Sequence, residues 1–241
     1  MKLTTVVAVL LFAAGGPALA VDVTPPQLPP ADVHKSPPPT IYNWTGVYIG
    51  VNAGYGSGYS NWSDGPVGTT GSFSTTGFLV GGTLGANYQI GEYVFGIEAD
   101  GDWTNLTGNS GLTCGGISAV VPPPNACQTQ SEWVATLRGR VGYALDRVLF
   151  YGTAGAAFAN VQTGLNPPST FDSSIEAGWT VGAGVEFAIT QNLTAKIEYL
   201  FVDLPDGACT TVGNCGGAAG SIVSFNENIV RAGLNFKFGP W

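Results

Sequence analysis

Two segments of this chain limit what it can fold into more than any other feature. Along Tyr93–Trp103 the residues Tyr93, Phe95, Ile97, Ala99, Gly101 and Trp103 alternate with Val94, Gly96, Glu98, Asp100 and Asp102. Along Trp133–Tyr143 the residues Trp133, Ala135, Leu137, Gly139, Val141 and Tyr143 oppose Thr136, Arg138, Arg140 and Gly142. A period of two is the mark of a β-strand. Each apolar face is bracketed by aromatics, and the opposite faces carry charges of opposite sign. A strand of this length, at ~3.3 Å per residue and tilted by about 40°, rises ~25 Å, the height of the apolar band on a membrane barrel. If Trp103 sits beside Trp133 in an antiparallel pair, Glu98 faces Arg138. A slip of two residues instead sets Glu98 against Arg140 and Asp100 against Arg138, so either register pairs the charges. The two segments therefore read as strands of a closed barrel, apolar toward lipid and ionic within.

The same pattern recurs along the chain. Over 45–56, Val47, Ile49, Val51, Ala53 and Tyr55 oppose Gly46, Tyr48, Gly50, Asn52 and Gly54. Over 76–90, Phe78, Val80, Leu84, Ala86, Tyr88 and Ile90 oppose Thr83, Asn87 and Gln89, and only Gly91-Glu92, a tight turn, separates this strand from Tyr93. Asp146-Arg147 turns the fourth strand into a fifth, Val148–Val161, whose sequence VLFYGTAGAAFANV alternates too poorly to fix its faces. Strands over Ile175–Ile189, Leu193–Asp203 and Asn228–Phe238 follow, the first two joined by Thr190-Gln191-Asn192. The stretches 57–75, 104–131, 162–174 and 204–227 read as loops. The prediction is all-β: an eight-stranded antiparallel up-and-down transmembrane β-barrel over residues 44–241, with four long extracellular loops and three short periplasmic turns.

The charges agree with this assignment. Arg138, Arg140, Lys196, Arg231 and Lys237 fall at inward positions, and Arg147 falls in a turn. Glu98, Asp100, Asp102, Glu186 and Glu198 are the inward acids, so the predicted interior ion network balances. A Lys or Arg on the lipid face would cost ~2–4 kcal/mol at mid-bilayer, and none is placed there. Tyr93, Trp103, Trp133, Tyr143 and Trp179 are the aromatics expected at the membrane–water interfaces.

Composition narrows the class further. Only 10% of residues are charged, far below the ~25% of a soluble domain. The formal charge of −8 argues against nucleic acid, which needs clustered Lys and Arg. Lys2, an apolar run from Leu3 to Ala14, and Ala18-Leu19-Ala20 make a signal peptide over 1–20. The run is too short to cross a membrane as a helix. Residues 21–43 are Pro-rich and read as an extended periplasmic segment. The chain's only histidine, His34, lies there and reads as solvated. In an exported chain the cysteines Cys114, Cys127, Cys209 and Cys215 are disulfide candidates. Local pairing, Cys114 with Cys127 and Cys209 with Cys215, is the preferred connectivity. Neither spacing is C-x-x-C, so a metal site has little basis.

Catalysis finds no support. A nucleophile needs a base, usually His, and the barrel region has none. Glu98 and Asp100 could pose as paired carboxylates for acid–base work, but arginines on the next strand favour a structural ion network. Haem ligation would fall to Tyr59 or a cysteine, a weak basis. No cofactor is expected.

At WTGVYIGVNAGYGSG (44–58) and IVRAGLNFKFG (229–239) the chain resembles the small outer-membrane immunogenic, porin-like barrels of rhizobial and related alpha-proteobacteria, OmpA-like eight-stranded proteins. The resemblance covers about residues 44–239 and the signal peptide. It implies an envelope protein of the Gram-negative outer membrane, exposed at the cell surface, with host-contact or haemin-binding roles claimed for some members. It also implies an insertion signal in a terminal aromatic, here Phe236, Phe238 or Trp241, read by the barrel-insertion machinery. The four cysteines depart from the family pattern. The expected function is a structural outer-membrane barrel, not an enzyme, whose partners are the outer-membrane bilayer and, through its loops, a host or surface ligand. The alternatives are a narrow porin-like diffusion channel and a soluble periplasmic ligand-binding barrel.

Overall fold

In the computed structural model the chain forms β1 (Gly46–Ser63), β2 (Thr69–Ile90), β3 (Tyr93–Thr113), β4 (Ala126–Leu145), β5 (Val148–Asn166), β6 (Thr170–Ala188), β7 (Leu193–Cys209) and β8 (Ser221–Phe238). Residues 42–63, 69–113, 126–166, 170–209 and 221–239 are described, the outermost strand ends by their backbone alone. Each strand pairs antiparallel with the next, and β8 returns to β1. The sheet thus closes on itself, the all-β eight-stranded barrel that the alternation predicts, with the β6–β7 ladder running only from Trp179↔Asp203 to Ala188↔Thr194. In the β3–β4 ladder Tyr93 pairs with Tyr143, Glu98 with Arg138, and Trp103 with Trp133. Of the two registers that pair the charges, the structure has the unslipped one.

At one end, the turn end, the strands are joined by the three short connections. Gly91 takes a positive φ of 62° and Asp146 one of 51°, the left-handed conformation that Gly and, among L-residues, Asp and Asn tolerate in tight turns. In the third turn the Ile189 amide donates to the Leu193 carbonyl at 2.9 Å, and Thr190 Oγ1 accepts from the Leu193 amide at 3.0 Å. The other end, the loop end, carries the connections 64–68, 114–125, 167–169 and 210–220.

Along the middle of each strand the barrel is inside out. Ile97 is 64% exposed, whereas its near neighbours Arg138 and Arg140 are 1% exposed. Toward the loop end the faces change sign. On β8, Phe225 and Ile229 are buried inside while Ser224, Asn226 and Asn228 face outward. On β3, Leu106 points in and Asn105 and Thr107 point out. On β5, Ala157, Ala159 and Val161 are buried, with Asn160 and Gln162 on the outer side. Beyond the membrane a strand still needs its ladder hydrogen bonds, but water now lies outside, so apolar side chains turn to the interior as in a soluble barrel.

This inversion corrects the expected loop boundaries. Most of 57–75, 104–131, 162–174 and 204–227, read as loop because the outward apolar run stops there, is strand. The residues between the strands, 64–68, 114–125, 167–169 and 210–220, lie outside the described residues. The same inversion explains β5. Leu149, Tyr151, Thr153, Ala157 and Ala159 face inward, and Phe150, Gly152, Ala154 and Phe158 face outward. Its inner face crosses apolar, polar and apolar surroundings in turn, so no single polarity marks it.

Candidate functional site: the filled lumen

The interior is stacked in three layers. At the turn end Tyr42, Trp44, Val94, Ala144, Leu149, Tyr151 and Ala188 form one apolar cluster. Packing therefore begins at Tyr42, within the expected Pro-rich segment. The chain ahead of β1 folds into the barrel mouth because its polar groups find partners there. The Trp44 indole donates to the Asp146 carbonyl at 3.0 Å, and the Trp44 amide to Gln89 Oε1 at 2.7 Å. The Tyr42 amide donates to Asp146 Oδ1 at 2.9 Å. The Tyr42 and Trp44 rings meet edge-on with centroids 4.8 Å apart, and each residue is 1% exposed.

The middle layer is ionic. Arg138 reaches Glu98 at 2.5 Å, Asp100 at 2.9 Å and Glu198 at 3.0 Å. Arg231 reaches Asp102 at 2.9 Å and Glu198 at 2.7 Å, and also pairs with Asp100 and Glu98. Lys196 binds Glu98 at 2.8 Å, and Arg140 pairs with Glu186 and lies 3.8 Å from Glu98. Arg140 also stacks 3.6 Å over the Tyr151 ring. Hydroxyls and amides add further donors: Tyr48 donates to Glu98 at 2.7 Å, Thr136 to Asp100, and Thr194 and Asn235 to Glu186. All these ions are buried, so each lost partner leaves a charge with no water to replace it. Inward glycines make room for them. A Cβ at Gly81 or Gly96 would run into Asp102 or Asn87.

Nine of the ten interior charges expected from the sequence meet here, five carboxylates with four cations. Lys237 is the exception. Its ammonium donates to the Asn43 carbonyl and lies 4.3 Å over the Tyr42 ring, so it serves the turn-end cap. It stands apart because Asn43 and Tyr42 come closer than any inward acid.

The third layer, at the loop end, is apolar again: Leu79, Val134, Ala157, Ala159, Val161, Leu200, Val202, Leu204, Phe225 and Ile229. Within this end lies an acid that sequence reasoning missed. Glu227 is 0% exposed, and no side chain or backbone donor among the described residues bonds either of its oxygens. Its signal was present: position 227 shares the parity of Arg231, Asn235 and Lys237, but a strand drawn from Asn228 stops one residue short.

On the outer wall the aromatics take the following places. Tyr93 and Tyr143 pack edge-on at 5.7 Å at the turn end, where Tyr143 also donates to Glu92. Trp103 is 72% exposed beside the half-buried Trp133. Trp179 packs against Phe201 at 5.5 Å, and Phe236 against Phe238 at 5.3 Å. Cys114, Cys215 and Trp241 lie outside the described residues, as do the side chains of Cys127 and Cys209, so both cysteine pairs stand as sequence expectations.

Residues 7–238 match the family model for the outer membrane protein beta-barrel domain. The chain belongs to this family. This outer-membrane barrel is 35% identical to the 31 kDa outer-membrane immunogenic protein of Brucella melitensis, with 95% of each chain covered. It is 32% identical to the 22 kDa outer membrane protein of Rhizobium leguminosarum bv. viciae, over 81% of this chain and 79% of that one. Among solved structures it superposes on the outer membrane protein OprG from Pseudomonas aeruginosa with a TM-score of 0.54 at 12% identity, covering 83% of this chain and 99% of that one, a likeness of fold. The outer membrane is thus the barrel's location, and the exposed apolar wall is its lipid face. The soluble periplasmic alternative is overturned. In such barrels the short turns are periplasmic and the long connections extracellular.

Proposed function

We propose that this protein is a structural, non-enzymatic outer-membrane barrel with a sealed lumen, which carries water-bathed strand extensions and their loops at the cell surface. The observation that carries this reading is the three-layer filling of the interior. Eight strands enclose little more than side chains can fill, and here a periplasmic cap, an ion network and an outer apolar layer occupy the lumen in series. In this reading Tyr93, Trp103, Trp133, Tyr143 and Trp179 hold the barrel at the two interfaces. Export by a signal peptide over 1–20, insertion through Phe236, Phe238 or Trp241, and local disulfides in the external loops complete it. The description of the Brucella relative as immunogenic supports a surface-antigen role for the extensions and loops.

Single-channel recording of the refolded protein in planar bilayers at neutral pH tests the seal. Silence is the expected outcome; steady openings would establish the narrow diffusion channel in its place. Protease or biotin labelling of intact cells tests the display, with cleavage expected only in the external connections.

A further inference from the structure

The core of the loop-end extension holds an acid that no described residue pairs. Glu227 projects between Phe225 and Ile229 on the inner face of β8, across from Gly56 and Gly58 of β1. A Cβ at Gly56 would meet both the Glu227 carboxyl and Leu106, so the carboxyl lies against glycine backbone and a leucine. The outward neighbours Asn226 and Asn228 are polar, and the lipid-facing run of β8 begins only at Val230. Glu227 therefore sits beyond the membrane-spanning part of the strand.

We propose that Glu227 is a proton-operated latch of the outer seal: with its proton it completes the apolar layer, and loss of that proton to solvent opens the layer to water from outside. This rests on the sealed-lumen reading above. A buried carboxylate without partners is far more costly than its neutral acid, and the surroundings offer the charge no relief. From its own strand, Arg231 is engaged by Asp100, Asp102 and Glu198. β3 contributes Asp102, β7 Glu198, and β6 the half-buried Glu176, which accepts from Ser174 at 2.5 Å. At this level the described inner faces of β1, β2, β4 and β5 carry Gly, Ser, Thr, Gln and apolar side chains, none titratable. Burial, with Asp102 adding to it, pushes the Glu227 carboxyl up to about 8. Ionisation then leaves two ways to lower the energy, entry of water or withdrawal of the loop-end strands, and either breaks the layer.

The test uses the refolded full-length protein in lipid, wild type and Glu227→Gln, followed by amide hydrogen exchange and infrared difference spectroscopy between about pH 6 and about pH 10, with conductance recorded alongside. The expected result is a protonated-carboxyl band lost with a midpoint near 8 and absent from the variant. With it comes faster hydrogen exchange of the loop-end amides in the wild type at the alkaline end, beyond the rise seen in Glu227→Gln over the same range. The latch is overturned if the variant keeps the same pH step, or if the wild-type band disappears while the loop-end amides stay as protected as in the variant. Steady openings of both proteins at about pH 6 would instead refute the seal itself. Should the variant fail to insert, wild type labelled at glutamate carboxyls decides alone: no band lost above neutral pH sinks the proposal.

Discussion

On β3, Ile97 and Thr107 share the outward face of one strand, yet one is bathed in lipid and the other in water. Behind Ile97 the lumen holds Glu98 and Asp100 in an ion network; behind Thr107 it holds Leu106. The same ladder thus supports an inside-out barrel in its middle and a right-side-out barrel at its external end. The difference teaches that the backbone is indifferent to which face is apolar, and that the solvent outside decides it. Buried charge follows the same logic. In the middle layer every carboxylate has cationic partners, whereas Glu227 in the extension has none among the described residues.

Removing a cation from the middle layer is the largest blow this comparison predicts. Arg231→Ala strips partners from Asp100, Asp102 and Glu198 and should cost ~3–5 kcal/mol, read as a lower urea midpoint of the refolded barrel. An equally stable variant would mean that water already hydrates the network. Next come paired substitutions on one outward face. Ile97→Arg should cost ~2–4 kcal/mol, and Thr107→Arg no more than about 0.5 kcal/mol, both measured by reversible unfolding in lipid. Equal costs would erase the boundary drawn between the regions. A milder cut, Ile229→Val in the outer layer, should cost about 1 kcal/mol. Its effect should appear as faster amide exchange in the extension and not in the membrane wall.

The pH dependence sharpens the contrast. The Glu227 carboxyl goes from an ordinary value of 4.5 to about 8 in the folded protein, so the native state holds a proton that the unfolded chain has released. Its contribution to stability is therefore full below the unfolded value and declines as pH rises through the folded one. Wild-type stability should fall between those limits, and Glu227→Gln should flatten the slope. An unchanged slope would place the titration elsewhere.

Much of the fold was legible because lipid imposes a strict rule on a strand. Tyr93, Ile97 and Trp103 on one side and Glu98 and Asp100 on the other admit few arrangements, and Trp103 beside Trp133 then sets the register. The external extensions were not legible as strands, because their alternation runs with the opposite sign and dissolves among Gly, Ser, Thr and Asn. For the same reason Glu227 escaped notice and β5 showed no faces.

The sequence by itself determined strand number, the closed inside-out wall, and the inward direction of the charges within that wall, since a period of two leaves each side chain only two directions. Only the tertiary structure decided where that wall ends and the soluble-like extension begins. It also decided that Tyr42 and Trp44 fold back to cap the mouth, that Lys237 serves the cap and not the ion network, and that Glu227 finds no partner among the described residues. These depend on which strands face one another across the lumen, a distance in space that spacing along the chain does not encode.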